Sequence, residues 1–232
     1  MADPADVGAL VRLVQVGLAE LAVPEDAPVM QAYLKTDMPM YGVKKGASKE
    51  LERAMKRQFR PRDRATWEAG VLALWTLPHR EEKALALRLA AQHKRFLTLD
   101  ALPLCERLVR EGQWWDLVDE VADKLVGRIV IADPEPALDA LERWVTDEDV
   151  WVRRVPLICQ LKRKQDTDAE RLFRWCEALA GDDSFWIRKA IGWALREYGK
   201  TDGDAVVAFV EAHAGELSGL SRREGLRRLR GE

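Results

Sequence analysis

A chain of 232 residues, 47% hydrophobic and 33% charged, has enough apolar mass to bury a sizeable core, which makes it a folded globular protein. Its formal net charge of −2 conceals a segregation: MADPADV and VPEDAP are acidic while KKGASKELERAMKRQFRPRDR is strongly basic, so partners are judged from patches and not from the total. No cleavable signal peptide and no long uncharged apolar run is visible, and Cys105, Cys159 and Cys176 are odd in number and widely spaced, so the expected compartment is a reducing cytoplasm.

Taken in chain order, VGALVRLVQVGLAEL, KELERAMKRQF, WEAGVLALWTL, EEKALALRLAAQHKRF, LPLCERLVREG, WDLVDEVADKLVGRIV and PALDALERWV all carry apolar residues at a period of 3.6, with little alternation. An all-α protein follows. The separators hold helix punctuation: prolines in TLPHR, TLDALP and ADPEP, the glycine in VREGQ, and the aspartates in TDED and GDDS. Connections this short predict antiparallel neighbours. His79, His93 and His213 form no i, i+4 pair and approach no cysteine at zinc-ligand spacing, so neither a metal site nor a cofactor is expected.

The segment EDVWVRRVPLI (148–158) aligns with DSFWIRKAIGW (183–193) at a separation of roughly 35 residues, the range of paired-helix repeats. Trp115, Trp151 and Trp186 recur at nearly that interval. Such a unit cannot bury its apolar face alone, so the expectation is one domain over residues 1–232: an α-solenoid of HEAT-like antiparallel helix pairs with an extended concave surface where a long, smooth partner would lie.

Core packing accounts for most of the nine tryptophans, and Trp67, Trp75, Trp144 and Trp175 fit apolar stripes. Trp114 and Trp115 differ, because helix neighbours point about 100° apart and cannot both face one interior. Trp193 follows Gly192 and is flanked along its helix by Arg188, Lys189 and Arg196. Basic residues cluster at 44–64, at Arg153 and Arg154, at Lys162, Arg163 and Lys164, at Arg188 and Lys189, and at Arg222, Arg223, Arg227, Arg228 and Arg230. Any one cluster is commonly a solvated face, but Arg153 and Arg154 correspond by repeat to Arg188 and Lys189, so stacking sets them side by side and suits a phosphate backbone. No base-reading module is evident, so shape and phosphate recognition are expected.

Asp119 lies one helical turn beyond Trp115, and a carboxylate on a polyanion-binding face weakens binding. Two readings stay open from spacing: an ordinary solvated acid beside Asp116, Glu120 and Asp123, or a catalytic group. With no metal, no Cys or His nucleophile and no phosphate-cradling loop, the chemistry that suits a carboxylate among aromatic rings is cleavage of an N-glycosidic bond. Asp stabilises the oxocarbenium-like sugar and orients water. An N3- or N7-alkylated purine is already cationic, leaves readily, and is attracted by electron-rich indole faces.

The stretches AYLKTDMPMYGV, WTLPHREEKALAL, QWWDLVDEVADKLVG, DVWVRRVPLICQLKRKQ, WIRKAIGWALREYGKT and LSRREGL together resemble the AlkD family of alkylpurine DNA glycosylases, built from HEAT-like repeats, over nearly the whole chain. The resemblance implies release of 3-methyladenine and 7-methylguanine from duplex DNA, leaving an abasic site without strand cleavage and without full extrusion of the base. By it the catalytic aspartate falls on Asp119, the two tryptophans that border the lesion on Trp115 and Trp193, the cleft arginine on Arg154, and an N-terminal DNA-holding tyrosine on Tyr33. Trp114 is then the packing ring. Arg153, Lys162, Arg188 and Lys189 complete the expected DNA-binding set. Pro156 so soon after Arg154 predicts a kink that displaces Arg154 and leaves Arg153 as the alternative. A non-catalytic DNA-binding solenoid and a protein-binding scaffold are the competing functions, and a monomer with no membrane and no obligate protein partner is expected.

Overall fold

In the computed structural model, which describes residues 4–227 and 229, all regular structure is helical. The chain divides into two compact units, Met1–Phe96 and Leu97–Glu232.

The first unit contains α1 (Pro4–Glu20), α2 (Ala27–Leu34), α3 (Lys49–Gln58), α4 (Arg64–Trp75) and α5 (Arg80–Gln92). Its core is the sum of one stripe from each long helix: Leu10, Val14 and Leu18 of α1 at successive i, i+4 positions, Leu51 and Met55 of α3, Trp67, Val71, Leu74 and Trp75 of α4, and Leu85, Ala86 and Leu89 of α5. The DMPMYGV segment is pinned to the start of α5. The buried carboxylate of Glu81 accepts the Gly42 and Val43 amides at 2.9 and 3.0 Å, and the Tyr41 hydroxyl donates to Glu82 at 3.0 Å. Gly42 has φ +81, and a β-carbon there would lie 2.0 Å from the Val23 carbonyl oxygen, so only glycine makes this turn.

The second unit opens with α6 (Leu102–Gly112) and a long helical run made of α7 (Trp115–Glu120), a π-helical segment Val121–Val126 and α8 (Gly127–Ala132). The glycine in VREGQ ends α6 as expected, although Gln113 rather than Gly112 adopts the left-handed conformation, with φ 38. Two helix pairs follow: α9 (Pro134–Val145) with α10 (Val150–Ile158), and α11 (Ala169–Ala178) with α12 (Phe185–Tyr198). They are the two aligned repeats. Asp149 caps α10 by accepting the Trp151 amide at 2.8 Å, and Ser184 caps α12 by accepting the Trp186 amide at 3.2 Å, so the matching sequences start matching helices. The second helices, α10 and α12, pack on one another. Finally α13 (Gly203–Ala212) leads to α14 (Gly219–Leu226), which lies along α12. Stacked helix pairs of this kind are how an α-solenoid is built.

Rungs join successive repeats. Arg110 grips Asp147, with Nη1 donating at 3.0 Å, and Arg153 grips Asp182, with Nε donating at 3.0 Å. The two aspartates hold equivalent turns, since Asp147 accepts the Asp149 amide and Asp182 the Ser184 amide.

Trp67, Trp75, Trp144 and Trp175 are all at most 1% exposed, as their apolar stripes predict. The tryptophan ladder has a different first member from the one expected by interval. Trp114, Trp151 and Trp186 meet, with ring centroids 5.2 to 6.0 Å apart. Trp114 stands at the N-terminal boundary of α7, extended at φ −152, which turns its ring toward Trp151 and Trp186 and leaves Trp115 to the helix proper. Among the described residues no helix is long and apolar enough to cross a membrane. Arg228 and Arg230 of the last basic cluster lie outside the described residues.

Candidate active site

Apart from Lys162, in the turn that follows α10, the site candidates of the second unit belong to α7, α10 and α12, with α10 packed on both of the others. Trp115 opens α7 and Asp119 lies one turn further on, so both share a face of that helix. Arg154 lies in the second turn of α10, and Trp193 in the third turn of α12. Both Trp115 and Trp193 are only half-buried, unlike the four core tryptophans.

The structure joins Asp119 to Arg154 through a two-pronged ion pair. Nε donates to Oδ1 at 2.7 Å and Nη2 to Oδ2 at 3.0 Å. The remaining terminal nitrogen, Nη1, donates to the Trp186 carbonyl in the first turn of α12. Arg154 is 3% exposed and the Asp119 side chain 16%, so this is an interior pair with one edge of the carboxylate open. Its planar fork matches the carboxylate plane, which fixes orientation as well as charge. Burial pushes the Asp119 carboxyl above the usual carboxylate range, the Arg154 guanidinium opposes that rise, and Asp116 and Asp123 add to it.

Pro156 lies inside α10 without displacing Arg154. Its ring removes one donor from the helix, yet the turns around it hold, with Arg153 bonded to the Asp149 carbonyl at 3.1 Å and Cys159 to that of Val155 at 2.9 Å. The expected exchange of Arg154 for Arg153 is therefore not needed to bring an arginine to Asp119.

The other expected DNA-binding residues of this unit each hold an acid in this structure. Arg153 pairs with Asp182, Arg188 with Asp183 at 2.6 Å, Lys189 with Glu224 at 2.8 Å, and Lys162 with Asp123. Tyr33 belongs to the first unit, on α2, and is 75% exposed. The three cysteines are buried thiols, and burial pushes Cys159 up to about 12, which removes it as a nucleophile. Among the described residues no cluster of His, Cys, Asp and Glu could hold a metal ion.

Sequence reasoning singled out Asp119 and Arg154 separately but not as partners. The signal was available: they are 35 residues apart, one repeat.

Comparison with known proteins bears on this geometry. Residues 14–229 match the family described as DNA alkylation repair enzyme. A solved structure described as a predicted DNA alkylation repair enzyme from Enterococcus faecalis superimposes with a TM-score of 0.83 at 28% identity, covering 91% of this chain and 98% of that one. A search of curated proteins returned no match. With a match over nearly its whole length and the same fold in a solved structure, the chain belongs to the DNA alkylation repair enzyme family.

Proposed function

We propose that the protein is a monofunctional DNA glycosylase that hydrolyses the N-glycosidic bond of cationic N3- or N7-alkylated purines, 3-methyladenine and 7-methylguanine among them, in duplex DNA. The observation that carries this reading is the Asp119–Arg154 pair, a carboxylate held in a fixed plane by a buried, permanently charged fork. Each carboxylate oxygen has two lone pairs, and Arg154 takes one from each. The outer lone pairs remain for a cation and for water.

In the reaction the C1′–N bond breaks and its electron pair neutralises the cationic base, so no strong general acid is required. Positive charge then spreads over C1′ and the ring oxygen of the sugar. Asp119 stabilises that charge and orients a water whose oxygen bonds to C1′ and whose proton passes to the carboxylate or to solvent, leaving an abasic site. Trp115 and Trp193 border the lesion, where an indole face attracts the charged nucleotide by about 0.5 to 2 kcal/mol. Selectivity thus comes from the charge and weak bond of the lesion, which removes the need to extrude the base fully. Arg153, Lys162, Arg188 and Lys189 serve the phosphates of a basic groove along HEAT-like repeats of the second unit, Tyr33 of the first unit helps to hold the DNA, and Arg154 serves the DNA through the carboxylate it holds. The single-domain, monomeric, cytoplasmic reading goes with this activity.

The test is release of 3-methyladenine and 7-methylguanine from methylated duplex DNA by the wild type and by Asp119→Asn, with DNA binding and thermal unfolding followed in parallel. Loss of one preorganised charge of this kind costs about 10²–10³ in kcat. Wild-type release with a loss of that order in a folded, DNA-binding variant supports the assignment. No release by a wild type that binds DNA would make it a non-catalytic DNA-binding protein.

A further inference from the structure

The two motifs KAIGWALREYGK and LSRREGL meet in space: the first is the body of α12 and the second is α14. Lys189, Trp193 and Arg196 stand at i, i+4 and i+7 and so share one face of α12. Gly192 makes room for α14, because a β-carbon there would come 2.5 Å from the Glu224 β-carbon and 3.1 Å from the Ser221 carbonyl oxygen. The Ser221 hydroxyl donates to the Arg188 carbonyl at 2.9 Å, which fixes the crossing. Glu224 is thereby set beside the backbone of Gly192, with its two oxygens shared between the two cations: Lys189 donates to Oε1 at 2.8 Å and Arg196 to Oε2. The two cations hold the Glu224 carboxyl below the usual range, Lys189 foremost.

We propose that Glu224 is an affinity-setting counter-ion: it occupies Lys189 and Arg196, the two cations flanking Trp193, and so keeps them from gripping the phosphates of undamaged DNA. This rests on the reading of Trp193 as a lesion-bordering residue. A phosphate that takes either cation must first displace a carboxylate already in hydrogen-bonding distance, so contact is made only where the rest of the site contributes as well. A net negative protein thereby patrols DNA without being held by it. The same exchange explains why the two motifs carry a lysine, a glycine, an arginine and a glutamate at these positions. Packing alone would ask only for the glycine.

The experiment is the affinity of full-length wild type and Glu224→Gln for an undamaged duplex oligonucleotide, followed by fluorescence anisotropy across a salt series, with thermal unfolding as a check on the fold. Each phosphate contact contributes about 0.9 to the slope of log K against log salt. Glu224→Gln is expected to bind undamaged DNA roughly three- to tenfold more tightly at low salt and to steepen the slope by about one to two units. Lys189→Gln/Glu224→Gln, which releases only Arg196, is expected to keep about half of that gain, and carries the test if the single variant unfolds. A merely structural Glu224 would weaken binding and leave the slope unchanged, and that result, or no change at all, overturns the proposal. Should neither protein bind DNA nor the wild type release alkylated bases, the glycosylase reading itself fails and takes this inference with it. Base release by a wild type whose Glu224→Gln variant shows no gain overturns the counter-ion alone.

Discussion

A guanidinium that is 3% exposed has lost most of its hydration, and the carboxylate of Asp119 is what makes Arg154 tolerable in the interior. The dependence runs both ways, because burial raises the Asp119 carboxyl and only Arg154 among the charges acting on it pulls it down. Catalysis by the ionised form then fails as pH falls through a value above the ordinary aspartate figure of about 3.9. The acid limb of base release is expected there, and Arg154→Met, which removes the opposing charge, should move that limb further toward neutrality. A pH–rate profile of both proteins reads the shift, and an unmoved limb would assign the titration to another group. The sign for stability is opposite: a carboxyl whose folded value is raised costs stability when ionised, so protonating Asp119 does not itself drive acid unfolding. Asp119 and Arg154 were each legible as candidates, from helical spacing and from family motif. Their pairing was not, because a 35-residue contact is invisible to any window one helix long, and the proline beside Arg154 argued locally for a displacement that the neighbouring turns resist.

At the scale of elements, helical period and punctuation outlined α1, α3 to α6, the α7–α8 run and α9, and the 148–158 and 183–193 alignment marked two helix starts correctly. The tryptophan ladder shows where interval counting stops. Trp114 and Trp115 differ by one residue in spacing, and what separates them is the extended backbone at Trp114, a boundary feature that the apolar period does not encode. The ladder also matters to the site, since the carbonyl that receives Arg154 belongs to Trp186, whose ring is 5.2 Å from that of Trp151. Trp151→Ala is expected to cost about 3 to 5 kcal/mol in chemical denaturation, as for other buried aromatic truncations. It should also lower base release in the fraction that stays folded, because Trp186 loses the neighbour that holds its turn. Stability unchanged within about 0.5 kcal/mol would show that the ladder is incidental.

For the whole molecule, the division into two units means that the expected site residues are not all supplied by one of them. Tyr33 alone comes from the first. At 75% exposure it has little core to lose, so Tyr33→Ala should leave the thermal midpoint near that of the wild type while weakening binding to DNA severalfold; a lowered midpoint with unchanged binding would make the residue structural. Composition and charge located none of this, since a net charge of −2 does not say which cations are paired: Arg110, Arg153 and Lys189 reach acids one repeat further on, while Lys162 and Arg171 reach back to Asp123 and Asp139.

That pairing has an evolutionary corollary. Repeat arrays commonly grow and shrink by duplicating or losing whole units, because each unit touches only its neighbours. Here Arg110 looks forward to Asp147, Arg153 to Asp182 and Lys189 to Glu224, so each of these three repeats carries half of a bond whose other half is in the next. Asp147 and Asp182 hold equivalent turns, so excising the segment between them would bring Asp182 to the place of Asp147 and give Arg110 an acid again. The rungs therefore tolerate a change in repeat number, and point substitution of either partner is what breaks them.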